Sequence, residues 1–505
     1  MNIIRIVCRH SKLSLLQADI VAKKIQAAVP GIKIQIEGIT SRGDRETTVA
    51  LQTLEGKDFF TEDITRRLIN GLADIAVHSM KDLSSEHFFS HAAFAIPDRN
   101  AVHDIALFIH GIEEKIKEGK TIQIGTSSPR REKMALTFLK KALPQLHGSI
   151  SIETKMIRGN VDTRLKKLDS GEYDGIILAA AGLNRLLQSE SNAHYVAELL
   201  ANKKKMILPL MECVPAPCQG AIVVEADPAN AAVIEILNLI DDPVLHRQCV
   251  AEKETGLQYG SGCFQQFGVT TINYRGNEQC YASGFDNSNN YFESWSHQPT
   301  IDVKGKKLFS STDFMAGFFS YADIQLPEKI DEPLVFIANH KAIREKNVSP
   351  LLKDKSIWVS GSRTWYELAK KGYWITGGAD ALGLEWLQPL FKTTLLNIEK
   401  NDVCILTHQH AIAEWERDGW KAFPAYALAK VNNAVIEDGI RNADCIFWTS
   451  YQQYQQYQSF LGKGVVHMCP SGKTASQLLN AGLSPIVFAN IRSFTAWRKE
   501  NFPIP

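Results

Sequence analysis

Thr121–Leu136 reads TIQIGTSSPRREKMAL, and the punctuation of this stretch decides the fold class. TIQIG has the β-favouring composition of a short buried strand. Ser128 then offers a side-chain oxygen that can cap a helix, and Pro129 suits a first helical position, where its missing N–H is not needed. A strand that turns directly into a helix is the unit from which α/β sheets are built.

The same grammar extends outward on both sides. IIRIVCR is followed by SKLSLLQADIVAKKIQAAV, in which Leu13, Leu16, Ile20, Val21 and Ile25 recur at helical spacing. ADIAVHS, ISIETKMI and YDGIILAAA read as further buried strands, each leading into a turn or helix. Around residue 240 the texture changes. PVLHRQCVAEKETGLQ reads as helix, and GVTTINY, CYASGF, YFESWSH and IDVKGKKLF read as a small sheet. ADIQLPEKIDEPL, near 322–334, is acidic and proline-containing and reads as a linker. Beyond it SGSRTWYELAKKG (360–372) and PSGKTASQLLNAG (470–482) share T-x3-L-x3-G, as two related half-domains would. Two unrelated helices that both end in glycine are the alternative.

The totals bound what the chain can be. At 505 residues it is too long for one core, and about three or four domains are expected. Its 56 Lys and Arg balance 55 Asp and Glu, so no global field draws it to nucleic acid or an anionic membrane. Any anion site must be a local cluster. Nine cysteines at irregular spacing make no disulfide framework. Cys213 and Cys218 lack a second pair and His408–His410 lacks nearby partners, so no metal site is expected. MNIIRIVCRH has no signal-peptide pattern, and no run reaches membrane-spanning length. The expectation is a soluble monomer in a reducing cytoplasm, with neither nucleic acid nor membrane as partner.

The arginines carry the chemistry. Arg130 and Arg131 fall in a first helical turn, where the helix dipole disfavours cations. A local rule broken twice points to guanidinium forks that join backbone N–H groups around an anion, against the alternative of two solvated surface arginines. Arg9 ends the first strand, Arg158 follows another in MIRGN, Arg164 sits in the next helical turn, and Arg185 follows YDGIILAAAGLN. Ligands of open α/β sheets bind beyond the carboxyl ends of the strands, where these cations converge. The implied ligand carries many carboxylates or phosphates, and no G-x-x-x-x-G-K-[ST] or G-x-G-x-x-G accompanies the arginines, which argues against nucleotides. ADIAVHSMKDL adds His78, Ser79, Lys81 and Asp82 at another strand end. An ionised Asp82 there can stabilise a developing cation or guide a proton, although a lone Asp more often caps a helix. YGSGCFQQFG places Cys263 in a glycine-flanked turn, reachable for attachment where most cysteines are buried.

CRHSKLSLLQA, SRGD, ADIAVHSMKD, GTSSPRR, RGNVDTRLKKLDSGEYDGIILAAAGLNRL, CQGA and GSGC, in this order and spacing, resemble the porphobilinogen deaminase (hydroxymethylbilane synthase) family over roughly residues 1–320. The resemblance implies a multi-domain α/β fold. Two domains like a periplasmic binding protein, 1–98 with 203–238 and 99–202, precede a small α+β cysteine-bearing domain, 239–325. It also implies condensation of four porphobilinogen molecules into hydroxymethylbilane with release of ammonia, through polypyrrole intermediates. A dipyrromethane cofactor, made from substrate, would be held as a thioether on Cys263. Asp82 matches the catalytic aspartate. Lys81, Ser127, Arg130, Arg131 and Arg164 match cofactor-binding positions, and Arg9, Ser11, Lys57, Arg158 and Arg185 match substrate-binding ones. The chain departs from the family at EGKD, where Glu55 and Asp58 replace glycines of a loop thought to cover the site. It departs again at FTEDIT, at CFQQFG, which lacks a proline, and at Lys253, where arginine is usual.

ADCIFWTSYQQYQQYQSFL and VVHMCPSGKTASQLLNAGLSPIVFA resemble the second half of uroporphyrinogen-III synthase. That implies a synthase-like α/β region over 334–505, short for a full synthase, which would close the ring with inversion of the last pyrrole. Thr449, Ser450, Ser471 and Thr474 are the hydroxyls this resemblance places near substrate carboxylates. Two alternatives stand beside it: a deaminase with a degenerate structural C-terminal domain, and a non-catalytic binding protein for an anionic ligand, which needs neither Cys263 nor Asp82.

Overall fold

A computed structural model describes residues 2–40, 62–84, 93–260, 265–274, 277–314, 317–344 and 348–502. The chain forms two compact units, Met1–Thr271 with Cys280–Glu293 and Thr393–Asn397, and Ile272–Gln279 with Ser294–Lys392 and Ile398–Pro505. Among the described residues no helix is long and apolar enough to cross a membrane, and no group of His, Cys, Asp or Glu could hold a metal ion.

The first unit contains two sheets of one design. In the first, β1 (Ile3–Arg9) lies between β2 (Lys33–Ile39) and β3 (Ile75–Ser79), followed by β10 (Ala221–Ala226) and β4 (Ala93–Arg99). β1 runs parallel to β2 and β3, whereas β10 is antiparallel to β3 and β4. In the second, β6 (Ile122–Gly125) lies between β7 (Ile152–Lys155) and β8 (Gly175–Ala179), followed by β5 (Asp104–Phe108) and β9 (Lys204–Ile207). Here β5 is the antiparallel insert between β8 and β9. The chain therefore crosses between the lobes twice, after Arg99 and again before Ala221. The crossings are bonded to each other. Asn100 N donates to Gly220 O at 3.0 Å, and Gln219 Nε2 donates to Val102 O at 2.7 Å. Gly220 has φ +85°, and a Cβ there would collide with the carbonyl of Asn100, so only glycine fits.

Helices follow the parallel strands and cover the sheets. Between β1 and β2 runs α1 (Lys12–Ala28), whose N-cap Ser11 accepts from Ser14 N. Its buried stripe is Gln17, Ala18, Val21, Ala22 and Ile25, while Leu13, Leu16 and Ile20 are only partly covered. The expected apolar face is thus rotated, because small alanines let the helix sit close on the sheet. The second lobe contributes α2 (Val161–Asp169) and α3 (Ala180–Leu187). The helix expected after residue 240 is α4 (Pro243–Leu257), with Asp242 capping two backbone N–H groups and proline in the first turn. A three-stranded sheet follows, β11 (Gln266–Tyr274), β12 (Asn277–Phe285) and β13 (Tyr291–Trp295).

The second unit corrects two expectations. β14 (Leu308–Ser310), from IDVKGKKLF, does not join that small sheet. It pairs in parallel with β21 (Cys445–Phe447), which is followed by β22 (Val466–Pro470) and β23 (Ile486–Phe488). Val303 is buried with Cys445, Phe447, Met468, Phe488, Phe494 and Trp497. The expected linker is also part of this unit. Its first residues belong to β15 (Phe319–Asp323), which pairs antiparallel with β20 (Lys421–Lys430). The other sheet continues from β20 through β19 (Val403–His408), β16 (Leu334–Ile337), β17 (Ser356–Val359) and β18 (Gly377–Gly378). The acidic run is no tether, because Ile330 is 2% exposed and Glu332 accepts from Lys421 at 2.6 Å. The C-terminal α/β pair therefore starts near residue 301, not 334. The T-x3-L-x3-G segments form α5 (Ser362–Lys370) between β17 and β18, and α7 (Lys473–Asn480) between β22 and β23, with α6 (Ile412–Arg417) between them in the chain. Each repeat thus lies at the same end of its own sheet. Gly372 and Gly482 stop the two helices at φ +86° and +82°.

Candidate functional site

In both lobes of the first unit the helices start where the parallel strands end. α1, α2 and α3 therefore present their amino termini to one cavity of about 630 Å³. Unpaired N–H groups and the positive ends of three helices favour an anion there. Around them stand Arg9, Lys81, Arg131, Arg158, Arg164 and Arg185, with Ser11 and Ser127. All of these were expected from sequence, and the fold brings them together. Lys57 and Cys263 lie outside the described residues.

Asp104 organises part of this cluster. Arg130 Nη2 donates to its Oδ2 at 2.7 Å, Arg131 Nη2 to its Oδ1 at 2.8 Å, and Gln219 Nε2 also to Oδ1 at 2.9 Å. The carboxylate is 0% exposed, and the two arginines are 4% and 8% exposed. Burial works against ionised Asp104, but Arg130 and Arg131 outweigh it and hold the carboxyl well below its ordinary range. Residues Arg131–Ala135 form one wide helical turn, which helps two consecutive arginines reach the same acid. The first anion held by the arginine pair is therefore the protein's own. Arg130 Nη1 also donates to Val214 O and Arg131 Nη1 to Ile177 O, so the pair acts as a rigid cationic wall.

The 3₁₀ turn Met80–Asp82, directly after β3, projects Lys81 and Asp82 into the cavity. Among the described residues neither side chain has a hydrogen-bond partner. Burial lowers the Lys81 pKa to about 8; Asp82 and Asp104 oppose the fall, while Arg131 and Arg130 add to it. Burial likewise takes Arg164 to about 10, with Arg131 and Arg158 adding to the fall and Asp82 opposing it. Positive charge is thus crowded into a partly dehydrated space, and within it stands Asp82, which makes no hydrogen bond among the described residues. Arg185 is more committed: Nη2 donates to Asp98 Oδ2 and to Gly220 O, both at 2.7 Å. A smaller cavity of about 60 Å³ adjoins Lys81 and Arg130 and is lined by Ser84, Ser128, Lys253 and Gln265 as well.

Sequence reasoning missed Asp104, Gln17 and the Lys12–Asp162 pair. Asp104 is a lone acid opening the apolar strand DIALF, and that placement was its available signal. Gln17 is 2% exposed and exchanges hydrogen bonds with Ser79. Lys12 Nζ lies 3.5 Å from Asp162, joining the first turns of α1 and α2 across the cavity rim.

In the second unit Thr449, Ser450, Ser471 and Thr474 gather at the carboxyl ends of β21 and β22. Their hydroxyls serve the protein itself. Ser471 Oγ donates to Ala489 O at 2.6 Å, Ser311 Oγ donates to Thr449 Oγ1 at 3.1 Å, and Ser450 caps the helix Tyr451–Tyr457. Thr474 Oγ1 reaches Thr449 O at 3.5 Å.

The cavity suits a dipyrromethane bearing acetate and propionate groups. Its volume is ligand-sized, its cations outnumber its acids, and the Lys81 ammonium has no hydrogen-bond acceptor among the described residues. Comparison with known proteins gives the same chemistry. The family model described as porphobilinogen deaminase, dipyromethane cofactor binding domain, matches residues 4–235. Porphobilinogen deaminase of Nostoc sp. is 36% identical over 279 residues, 54% of this chain and 79% of that protein. The Coxiella burnetii enzyme is 38% identical over 269 residues, 53% of this chain and 80% of that protein. Among solved structures, a polar amino acid ABC uptake transporter substrate binding protein from Streptococcus thermophilus is similar at TM-score 0.28 and 14% identity, over 52% of this chain and 88% of that one. With these relatives matched over most of their length, and with a cavity built for a polycarboxylate, the chain belongs to the porphobilinogen deaminase family, transferases of porphyrin biosynthesis that carry a dipyrromethane cofactor.

Proposed function

We propose that this chain is an active hydroxymethylbilane synthase. It condenses four porphobilinogen molecules head to tail and releases one ammonia at each addition. The observation that carries the reading is Asp82, a carboxylate without a hydrogen bond of its own among the described residues, set in a cavity ringed by cations. When bound, the dipyrromethane supplies the nucleophilic pyrrole carbon onto which the chain grows. Cys263 holds it as a thioether, an anchor and not a turnover nucleophile. Gln265, two residues further along, lines the small cavity with Lys81 and Arg130.

The protein's own groups do the remaining work. Lys81, Ser127, Arg131 and Arg164 hold carboxylates of the anchored portion, while Arg9, Ser11, Arg158 and Arg185 receive those of the incoming unit. Arg130, fixed on Asp104, keeps the wall in place. As the aminomethyl C–N bond of the substrate breaks and ammonia leaves, positive charge develops on the pyrrole nitrogen, and Asp82 stabilises it. The lobes of residues 1–98 with 203–238 and of 99–202 act as the two halves of a periplasmic-binding-protein-like clamp. A cysteine-bearing domain begins at 239. We place the protein in the cytoplasm as a monomer.

The decisive test is the intact mass of the denatured chain. Wild type should carry an increment of two pyrrole units that Cys263→Ser lacks. An unmodified wild type that gains nothing on incubation with porphobilinogen would exclude the deaminase reading.

A second reading concerns the C-terminal unit, uroporphyrinogen-III synthase activity. Its support is the pair of α/β halves with matching strand–helix–strand ends, joined by β15 and β20 and extending from near residue 301. A product that is solely uroporphyrinogen I, the isomer of spontaneous closure, would leave this unit a structural role.

A further inference from the structure

Two successive residues of α3, in the second lobe, grip the point where the lobes of the first unit are joined. Arg185 Nη2 donates to Asp98 Oδ2, near the end of β4 in the first lobe's sheet, and to Gly220 O in the returning crossing, both at 2.7 Å. Asn184 Nδ2 donates to Asn100 Oδ1, in the outgoing crossing, at 2.9 Å. Asn100 N shares the same Gly220 carbonyl, at 3.0 Å. One helix thus holds both chain segments of the hinge.

The guanidinium of Arg185 also borders the large cavity, whereas Asp98 is not among the lining residues. The side chain of Arg185 is 3% exposed and that of Asp98 31%. Burial lowers the Arg185 pKa from its ordinary value, and the hydrogen bond and charge of Asp98 oppose the fall. A guanidinium taken out of water needs a counter-ion in fixed geometry. Asp98 supplies it through one nitrogen, and among the described residues Nε is buried without a partner. Asp104 holds Arg130 and Arg131 from within the second lobe, but Asp98 holds Arg185 from the first. A change in the angle between the lobes therefore moves this fork relative to the cavity.

We infer that Asp98 is a positioning residue, which through Arg185 fixes the cationic edge that receives a substrate carboxylate and ties that edge to the hinge between the lobes. An acid outside the cavity, bonded to an arginine that borders it, orients the fork without taking up ligand space. The identity of the carboxylate rests on the deaminase reading; the clasp of Asp98, Arg185 and Gly220 does not.

Asp98→Asn in the full-length holoenzyme keeps the size of the side chain and removes its charge. KM for porphobilinogen should rise about tenfold, the loss of one charge-assisted contact. The turnover number should stay within about twofold, because binding is lost equally from substrate and transition state. Intact mass should still show the two-pyrrole increment, which establishes that the variant folds and loads. Asp98→Glu restores the carboxylate and should bring KM back to within about threefold of wild type. In an Arg185→Gln background Asp98→Asn should change KM by less than about twofold, since the group through which it acts is gone. An unchanged KM in Asp98→Asn, a loss confined to kcat, or single effects that multiply in the double variant overturns the inference. Calorimetry reads the clasp without turnover: the shifts in the first unit's transition caused by Asp98→Asn and Arg185→Gln should not sum in the double variant. Additive shifts overturn the clasp. Coupled shifts in a chain that consumes no porphobilinogen sink the deaminase reading and leave the clasp standing.

Discussion

Asp104→Asn removes the charge on which Arg130 and Arg131 are fixed, while nearly preserving shape. In the wild type three donors converge on this carboxylate at 2.7, 2.8 and 2.9 Å, and it is fully buried. The amide keeps one acceptor oxygen and turns an N–H group toward a donor. Two buried guanidiniums then share no counter-ion. Breaking a buried pair from one side costs about 3–5 kcal/mol, so the calorimetric transition of the first unit should fall by on the order of 10 °C. The second unit provides the control, since it holds all nine tryptophans and its fluorescence transition should not move. The effect has a defined pH dependence. Asp104 titrates below its unfolded value of about 3.9. Its contribution is therefore fully present above that pH and is lost as pH falls further, so wild type and variant should converge in acid. A shift under about 2 °C at pH 7 would refute the assignment of Asp104 as counter-ion, as would a gap that persists unchanged in acid.

Asp82→Asn should leave both thermal transitions in place, because the carboxylate contributes no hydrogen bond to the described fold. It should lower kcat by about a hundredfold or more, the scale of losing one electrostatic stabiliser of a transition state. Near-normal turnover in a steady-state assay would remove Asp82 from the mechanism. Lys81, with a pKa of about 8, loses its charge as pH rises through that value, so KM for porphobilinogen should climb above pH 8. Lys81→Arg stays charged and should flatten that part of the profile; the same rise in the arginine variant would assign it to another group.

Much of the first unit was legible in one dimension. A strand followed by Ser-Pro at a helix start is a local signal, and GTSSPRR delivered both the α/β class and the position of two functional arginines. Arg9, Asp82, Arg158 and Arg164 were legible for the same reason, since each stands at a strand end or in the turn or first helical turns that follow it, and parallel strands end on one edge of a sheet. The α1 stripe was read less well, because periodicity marks large apolar residues while close packing here selected Ala18 and Ala22. The boundary of the C-terminal unit was misread because β14 is only three residues long and its partner β21 lies far along the chain. IDVKGKKLF reads as a strand, but no local pattern says that its partner lies beyond residue 440 and not in the neighbouring small sheet.

The sequence by itself determined which residue types stand at strand ends, and so the sign of the site and the class of ligand that suits it. Tertiary structure decided which of those charges meet. Asp104 lies 26 residues from Arg130 in sequence, yet the insertion of β5 between β8 and β9 places the two 2.7 Å apart. In the second unit the strand order likewise sets Lys341 Nζ 3.4 Å from the Tyr321 ring and Tyr426 6.0 Å from His408. Electrostatic energy depends on separation in space and on burial, and both are set by strand order, which a linear pattern does not encode.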